Sequence, residues 1–430
     1  MMVARIASGE MGRKTLLARQ RVQLGGALLL AVGLPFLIRV NLPMLGTQSD
    51  FVIAMAGNLV AVILGHYVLR SLTVYPGIVA GFYVLPAFVI SYAAILTVFW
   101  TFRLDYSRFL FFTGFPLCIL WYFFIFFKLQ RQQSLQIGIV PFGEVHTLGQ
   151  IDAAEWTMLA RPPAAAGRRS YDAIVADFRA DLPDEWERFL ADCALNGTIV
   201  YHCKQLQESM TGRVAIEHLS ENTFGLLVPS LLYVKLKRVV DFGTAVVASI
   251  LFLPFLAIIG IAIKLDSPGP IMFRQQRVGA GGRVFRVIKF RTMLHNGHSA
   301  APREIDQAIT VDNDPRITRL GRFLRRTRID ELPQMFNVLA GSMSWIGPRP
   351  EAEVLSKWYE AELPFYHYRH VVKPGITGWA QVNQGHVATM TQVHGKLQYD
   401  FYYIKYFSLW LDVLIVFRTI ATVVTGHGSR

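Results

Sequence analysis

Two adjacent carboxylates close a run dense in arginine: Leu320-Gly-Arg322-Phe-Leu-Arg325-Arg326-Thr-Arg328-Ile-Asp330-Glu331-Leu-Pro-Gln334. On a helix, neighbouring residues point about 100° apart, so the two acids need not share one role. One can act as a nucleophile, because an aspartate carboxylate can take a phosphoryl group as an acyl phosphate. The other can hold magnesium, which binds one or two carboxylates together with phosphate oxygens. Arginines beside the pair would stabilise charge on a group in transfer. Spacing alone leaves a surface ion-pair network open as the competing reading.

Other cations lie among buried-type residues. Phe273-Arg-Gln-Gln-Arg277-Val-Gly279 is followed by Phe285-Arg-Val-Ile-Lys289-Phe-Arg291-Thr-Met293. Such interleaving suits cations held in place by packed neighbours, with Arg clamping phosphate in bidentate fashion and Lys as a point charge. In Gly347-Pro-Arg349-Pro350, two prolines fix the backbone around one arginine. Arg369 adds a further cation, and Gln381 with Asn383 forms a polar pair after two glycine turns. Lys289, Arg291, Arg325, Arg349, Arg369 and Gln381 are thus the candidate substrate or phosphate contacts, with plain turns and a solvated basic face as the alternatives. His295 and His298 lack a third metal ligand at suitable spacing and read as a polar loop. Cys118, Cys193 and Cys203 show no metal or disulfide pattern and read as buried thiols.

The elements that position these residues are those of a membrane protein. The 430-residue chain is 53% hydrophobic and only 17% charged, with a formal net charge of +13. A basic excess suits the cytoplasmic flank of a membrane and a phosphate-bearing substrate. Nucleic acid is not the expected partner, because neither zinc-ligand spacing nor an aromatic RNA-binding signature accompanies the charge. Long apolar runs cover Val22 to Ile38, Phe51 to Leu69, Tyr75 to Trp100 and Phe109 to Phe127. Each is long enough to cross a hydrocarbon core of about 30 Å. No small-residue cleavage site follows the first, which reads as an anchor. An even number of crossings, with Lys128 and Arg131 at the end, places both termini of this region in the cytoplasm.

From about Gln136 the pattern alternates. Gln136 to Val140, Asp172 to Ala176 and Ile199 to Tyr201 read as strands, and Glu185 to Leu195 as a helix. This predicts a small Rossmann-like α/β domain. Its first turn, Pro141-Phe-Gly143-Glu144, lacks the glycines of a dinucleotide loop, so a structural or regulatory role is expected.

A further apolar run, Val239 to Ile263, is long enough to span but contains Pro254. Proline favours a break or kink. A full crossing would also put the Arg-rich region from Arg274 to Arg328 outside the cell, against the positive-inside tendency. A re-entrant hairpin hinged at Pro254 satisfies both points, with Ser249 a candidate partner for freed backbone groups. Phe401 to Thr425, apolar but broken by Lys405, Asp412 and Arg418, reads as an amphipathic helix lying on the membrane.

From about Lys237 to Asp412 the chain resembles the bacterial sugar transferases, the monotopic polyprenyl-phosphate hexose-1-phosphate transferases. The shared motifs are Lys237-Arg238-x-x-Asp241, the proline-broken membrane helix, Lys289-Phe-Arg291-Thr-Met293, Arg325 ahead of Asp330-Glu331-Leu-Pro-Gln, Gly347-Pro-Arg349-Pro, and Pro374-Gly-Ile-Thr-Gly-Trp-Ala-Gln-Val-Asn383. The N-terminal layout is similar to that of long members, which initiate exopolysaccharide, capsule or O-antigen units, including undecaprenyl-phosphate glucose and galactose phosphotransferases. The resemblance implies that Asp330 attacks the sugar-linked phosphate of a UDP-sugar, releasing UMP, and that undecaprenyl phosphate then takes the phosphosugar. It implies that Glu331 contacts Mg2+, and that Lys289, Arg325 and Arg349 belong to the phosphate site. The sequence departs from the family pattern at Leu294-His-Asn-Gly-His298, at Arg328 where serine is common, and at Ser342 where aspartate is common.

The expected architecture is a membrane protein of α and α/β class. It has a four-helix transmembrane domain (1–132), a Rossmann-like α/β domain (133–225) and an α-rich catalytic domain (226–430) with a re-entrant helix at about 237–264. The expected location is the bacterial inner membrane with the site on the cytoplasmic face, and a homodimer is one expected assembly. Two rival readings are a non-catalytic scaffold or export component of polysaccharide synthesis, and a polytopic transferase without a covalent intermediate. The latter class needs more apolar runs than this chain has.

Overall fold

The computed structural model describes residues 17, 19–40, 48–73, 80–130, 136–145, 155–163, 171–214, 231–294, 314, 316–385 and 389–425. His295, His298 and most of the segment from Glu221 to Tyr233 lie outside these. The chain forms two compact units, Met1–Gly212 and Arg213–Arg430.

In the first unit, α1 (Gln20–Leu28) continues through a π-helical turn, Leu29–Gly33, into α2 (Leu34–Val40). Then follow α3 (Gln48–Leu72), α4 (Ala80–Thr101) and α5 (Arg108–Gln130). Their apolar stretches are long enough to cross a membrane. With lipid outside, polar groups must pair within the bundle. Asn58 accordingly donates to the Leu110 carbonyl at 2.8 Å, and Arg70 to Gln23 Oε1 at 2.9 Å.

The same unit contains a four-stranded parallel sheet of β1 (Gln136–Ile139), β2 (Glu155–Met158), β3 (Ala173–Ala176) and β4 (Ile199–His202), in the order β2-β1-β3-β4. Helices α6 (Asp184–Leu195) and α7 (Cys203–Thr211) accompany it. β2 is an additional strand: its Glu-Trp-Thr-Met is mostly exposed, so no apolar run announces it. At the carboxyl edge Asp177 accepts the Glu144 and Arg179 backbone N–H groups, and His202 Nδ1 accepts that of Lys204. Asp177, His202 and Cys203 meet there, and these bonds tie the loops to the sheet edge. All three cysteines are free and buried.

The second unit opens with α8 (Leu231–Asp266), a single 36-residue helix that contains Pro254 without interruption. Ser249 Oγ, expected to serve the backbone freed by the proline, is buried without a hydrogen-bond partner among the described residues. Both ends of α8 pack into the unit. Ala245 joins Val287, Val338 and Met343, whereas Leu256, Ile259 and Ile263 join Phe290, Leu324 and Met335. Between them Val247, Ile250, Leu251 and Leu253 are exposed.

An antiparallel hairpin follows, β5 (Met272–Val278) with β6 (Val284–Phe290), pairing Phe273 with Lys289. Next come α9 (Arg319–Arg326), a 3-10 segment Ile329–Gln334, α10 (Met335–Ala340) and β7 (Ser344–Ile346). The unit ends with α11 (Glu353–Glu362), a 3-10 segment Tyr366–Val371, β8 (Gly375–Thr377), α12 (Trp379–Gln384), α13 (Met390–Lys405) and α14 (Leu409–Thr425). The C-terminal stretch is therefore two helices. In α14, Leu411, Leu414 and Ile415 are fully buried while Val416, Ile420 and Val423 are exposed.

Candidate active site

Asp330 and Glu331 lie on the 3-10 segment, reached through Arg328, whose φ of 59° is left-handed. Such a backbone is uncommon for a non-glycine residue and reverses the chain abruptly after α9. Asn337 fixes the floor beneath: its Oδ1 accepts the Ile288 N–H at 3.0 Å and its Nδ2 donates to the Arg286 carbonyl at 2.7 Å. This braces β6 against the segment and brings Lys289 to the acids.

Glu331 is buried within a cationic cage. Lys289 Nζ donates to its Oε1 at 3.0 Å, and Arg349 Nη2 to the same oxygen at 2.7 Å. Arg349 Nη1 reaches Oε2 at 3.3 Å, completing a fork, and Arg328 Nη1 stands 3.8 Å from Oε1. Burial would raise the Glu331 pKa, but Arg349 and then Lys289 hold it well below the usual carboxylate range. Burial lowers the Lys289 ammonium pKa against the pull of Glu331.

Asp330 is equally buried but differently placed. Among the described residues its Oδ1 has no hydrogen-bond partner. Burial, and then the adjacent Glu331 charge, push its pKa up to about 6 despite Lys289, Arg325 and Arg349. Arg325 is aimed by Thr292, whose Oγ1 accepts from Nε at 2.9 Å. The backbones allow this because Gly321 lies against Thr292, where a Cβ would sit 2.0 Å from the Thr292 carbonyl oxygen. A buried carboxylate with an oxygen unpartnered among the described residues, beside a second carboxylate held by a fork, is an arrangement suited to dividing two acids between attack and anchoring.

Arg349 stands on the turn after β7. Gly347 and Gly375 touch backbone to backbone; a Cβ on Gly375 would lie 2.1 Å from the Gly347 nitrogen. The glycines of the two proline-glycine motifs thus let their turns pack together. Arg277 Nη1 grips the Pro350 carbonyl at 2.7 Å, and Tyr403 OH donates to the Ile346 carbonyl at 3.1 Å.

The structure gathers Asp330, Glu331, Lys289, Arg325 and Arg349, together with Arg328, which the sequence marked only as a departure. It directs three other candidates elsewhere. Arg291 donates to the Pro268 and Ser267 carbonyls at 2.9 and 2.6 Å, and to that of Ile263 at 3.3 Å, closing the end of α8. Gln381 donates to the Ile376 carbonyl at 3.1 Å, its Oε1 buried without a partner among the described residues. Arg369 is buried against Asp400 at 2.8 Å. The Lys237-Arg238-x-x-Asp241 motif is a dock at the base of α8. Lys237 Nζ donates to Asp412 Oδ2 at 2.7 Å, Ser344 Oγ to Asp241 Oδ2 at 2.7 Å, and Arg238 Nη1 to the Val338 carbonyl at 2.7 Å.

The family model described as bacterial sugar transferase matches residues 232–426. A UDP-N-acetylgalactosamine-undecaprenyl-phosphate N-acetylgalactosaminephosphotransferase of Aeromonas hydrophila is 45% identical over 377 residues, covering 87% of this chain and 88% of that protein. A UDP-glucose:undecaprenyl-phosphate glucose-1-phosphate transferase of Xanthomonas campestris pv. campestris is 47% identical over 190 residues, 44% of this chain and 38% of that one. One of the same description from Caulobacter vibrioides is 44% identical, covering 45% of this chain and 71% of that protein.

Proposed function

The chain belongs to the bacterial sugar transferase family, and from that premise we propose that it moves a hexose 1-phosphate from a UDP-sugar to undecaprenyl phosphate, releasing UMP. It is a transferase with membrane-length apolar helices. The observation that carries the proposal is the unequal carboxylate pair, with the Asp330 Oδ1 buried and, among the described residues, unpartnered beside a Glu331 held by Lys289 and Arg349.

In the proposed first step an Asp330 oxygen attacks the phosphorus that carries the sugar. A P–O bond forms to the carboxylate as the P–O bond to UMP breaks, and UMP leaves with the electron pair. A phosphate oxygen of undecaprenyl phosphate then attacks the same phosphorus, and the bond to Asp330 breaks to restore the carboxylate. Positioned cations stabilise the charge that develops on the transferring oxygens. Lys289 and Arg349 each have more N–H donors than their contacts to Glu331 use.

Magnesium fits this donor set. Among the described residues Glu331 Oε2 has a single long hydrogen bond, 3.3 Å from Arg349, and Asp330 Oδ1 beside it is unpartnered. Glu331, and the donor's phosphates with it, would hold the ion, which supplies charge neutralisation of the pyrophosphate.

The same reading sets the reaction at the cytoplasmic face of the inner membrane. If straight, α8 would be about 54 Å long, well beyond a hydrocarbon core of about 30 Å. Residues on both sides of Pro254, Ala245 before it and Leu256, Ile259 and Ile263 after it, pack on one compact unit, while exposed apolar residues run along the rest of its length. A helix that dips into the membrane, bends at Pro254 and returns accounts for both features. It also puts the site within reach of a cytosolic donor and a lipid acceptor.

The sugar is tested with purified full-length protein, undecaprenyl phosphate and a panel of UDP-sugars, scored by UMP release. UDP-N-acetylgalactosamine is the first donor to assay, because the relative that matches most of the chain is described as using it. No UMP release with any UDP-hexose or UDP-N-acetylhexosamine would exclude the proposed reaction.

A further inference from the structure

Arg349 must present a planar fork to Glu331, and its side chain is only as well aimed as its backbone. Prolines flank it on both sides. Its own carbonyl oxygen accepts from Arg369 Nη2 at 2.8 Å. Arg369 is in turn held on three sides. Its Nε donates to Asp400 Oδ2 at 3.1 Å, its Nη2 lies 2.8 Å from the same oxygen, and its Nη1 donates to Tyr366 OH at 2.6 Å. The Arg369 and Asp400 side chains are each 2% exposed, so neither can meet a substrate that arrives from solvent or lipid.

A buried ion pair is weak evidence for stability, because desolvating both charges offsets most of their attraction. A pair that also grips a backbone carbonyl has a geometric use. The guanidinium is suited to it, being planar and able to donate in several fixed directions at once. Glu351 extends the arrangement: it pairs with Lys396 and stands 3.9 Å from Arg277, which holds the next carbonyl along the turn.

We propose that Arg369 and Asp400 are positioning residues for the reaction, a buried pair that locks the Arg349 backbone so that its fork meets Glu331. Asp400 comes from α13 and Arg369 from the 3-10 segment Tyr366–Val371, so the lock ties the C-terminal helices to the phosphate site. The inference rests on the reading of Arg349 as part of that site. It reassigns Arg369 from a phosphate contact to a support for one.

The test is a double-mutant cycle on the full-length protein, with the UDP-sugar that the wild type turns over and undecaprenyl phosphate. Asp400→Asn keeps shape and removes charge, and is expected to lower kcat by about tenfold to a hundredfold, the scale of a small misplacement of a positioned group. In an Arg349→Lys background, where the fork is already lost, the same change is expected to cost less than about twofold, because coupled residues are not additive. Tyr366→Phe, which removes a single bond to Arg369, gives the same non-additive pattern at smaller amplitude, and serves if Asp400→Asn does not fold. Effects that multiply independently, or an Asp400→Asn enzyme with wild-type kcat, overturn the inference while leaving the proposed function intact. An Arg349→Lys enzyme with unchanged turnover overturns both.

Discussion

Asp330 and Glu331 are chain neighbours on one 3-10 turn, yet they occupy opposite electrostatic settings. Arg349 and Lys289 hold Glu331 at 2.7 and 3.0 Å, and they keep it ionised despite burial. Asp330 has an oxygen with no partner among the described residues, and its pKa is raised to about 6 by burial and by the Glu331 charge. A nucleophile needs the second setting and an anchor the first.

Asp330→Asn is expected to abolish UMP release and to stabilise the fold. The sign follows from linkage. The folded pKa, about 6, lies above the ordinary value of 3.8, so ionised Asp330 is disfavoured in the folded state and stability is lost as pH rises through 6. The amide removes a penalty on the order of 1–3 kcal/mol at neutral pH. Thermal melting in detergent should show a higher midpoint for the variant at pH 7.5 and little difference near pH 4. Wild-type turnover by this variant would remove Asp330 from the mechanism.

The pH profile of turnover carries a second expectation. Attack requires the Asp330 carboxylate, so activity should fall as pH drops through about 6. Arg325 helps to hold that pKa down, and Arg325→Gln is expected to move the acid limb to higher pH. The Lys289 charge also holds the Asp330 pKa down, so Lys289→Met is expected to move the limb in the same direction. Profiles of kcat/KM between pH 5 and 8 decide this; superimposable limbs in wild type and Arg325→Gln would contradict it.

How much of this was legible beforehand depended on whether a residue's role follows from neighbours in the chain or in space. Asp330, Glu331, Lys289 and Arg349 each sit in a short motif legible in the sequence, and the structure brings these motifs together. The broad layout was visible too, since membrane-length runs and three of the four parallel strands announce themselves by composition. Arg291 and Arg369 were read as phosphate contacts because a cation's sequence context does not reveal where its long side chain turns. Arg291 stands just past the end of β6, so the strand alternation that aims Lys289 no longer governs it, and it closes α8 instead. Asp400 lies in an aromatic helix with no motif around it, and its pairing with Arg369, 31 positions away, is purely tertiary. Pro254 favours a break or a kink, and α8 runs through it as one helix, so the bend proposed there lies within a continuous helix rather than at a break.

Magnesium removal supplies another check. Chelation is expected to abolish UMP release, and added Mg2+ to restore it. Glu331→Gln is expected to lose most turnover and to need more Mg2+ for what remains, because the anchor of the ion is weakened while Lys289 and Arg349 lose their charge partner. Full activity in excess chelator would contradict the magnesium assignment.

The base of α8 gives a stability prediction that is separate from catalysis. Asp412 accepts from Lys237 at 2.7 Å, Tyr233 at 2.6 Å and Tyr403 at 2.8 Å, and is itself buried. Asp412→Ala takes this acceptor from the Lys237 ammonium and the Tyr233 hydroxyl, while Tyr403 keeps the Ile346 carbonyl. Removing one member of a buried pair costs about 3–5 kcal/mol. Pairing the change with Lys237→Met removes the stranded charge and should recover a good part of the loss. A lower melting midpoint for Asp412→Ala, partly restored in the double variant, identifies the motif at Lys237 as the joint between α8 and the rest of its unit. Equal midpoints in all three proteins would show that the joint is carried by apolar packing around Ala245 alone.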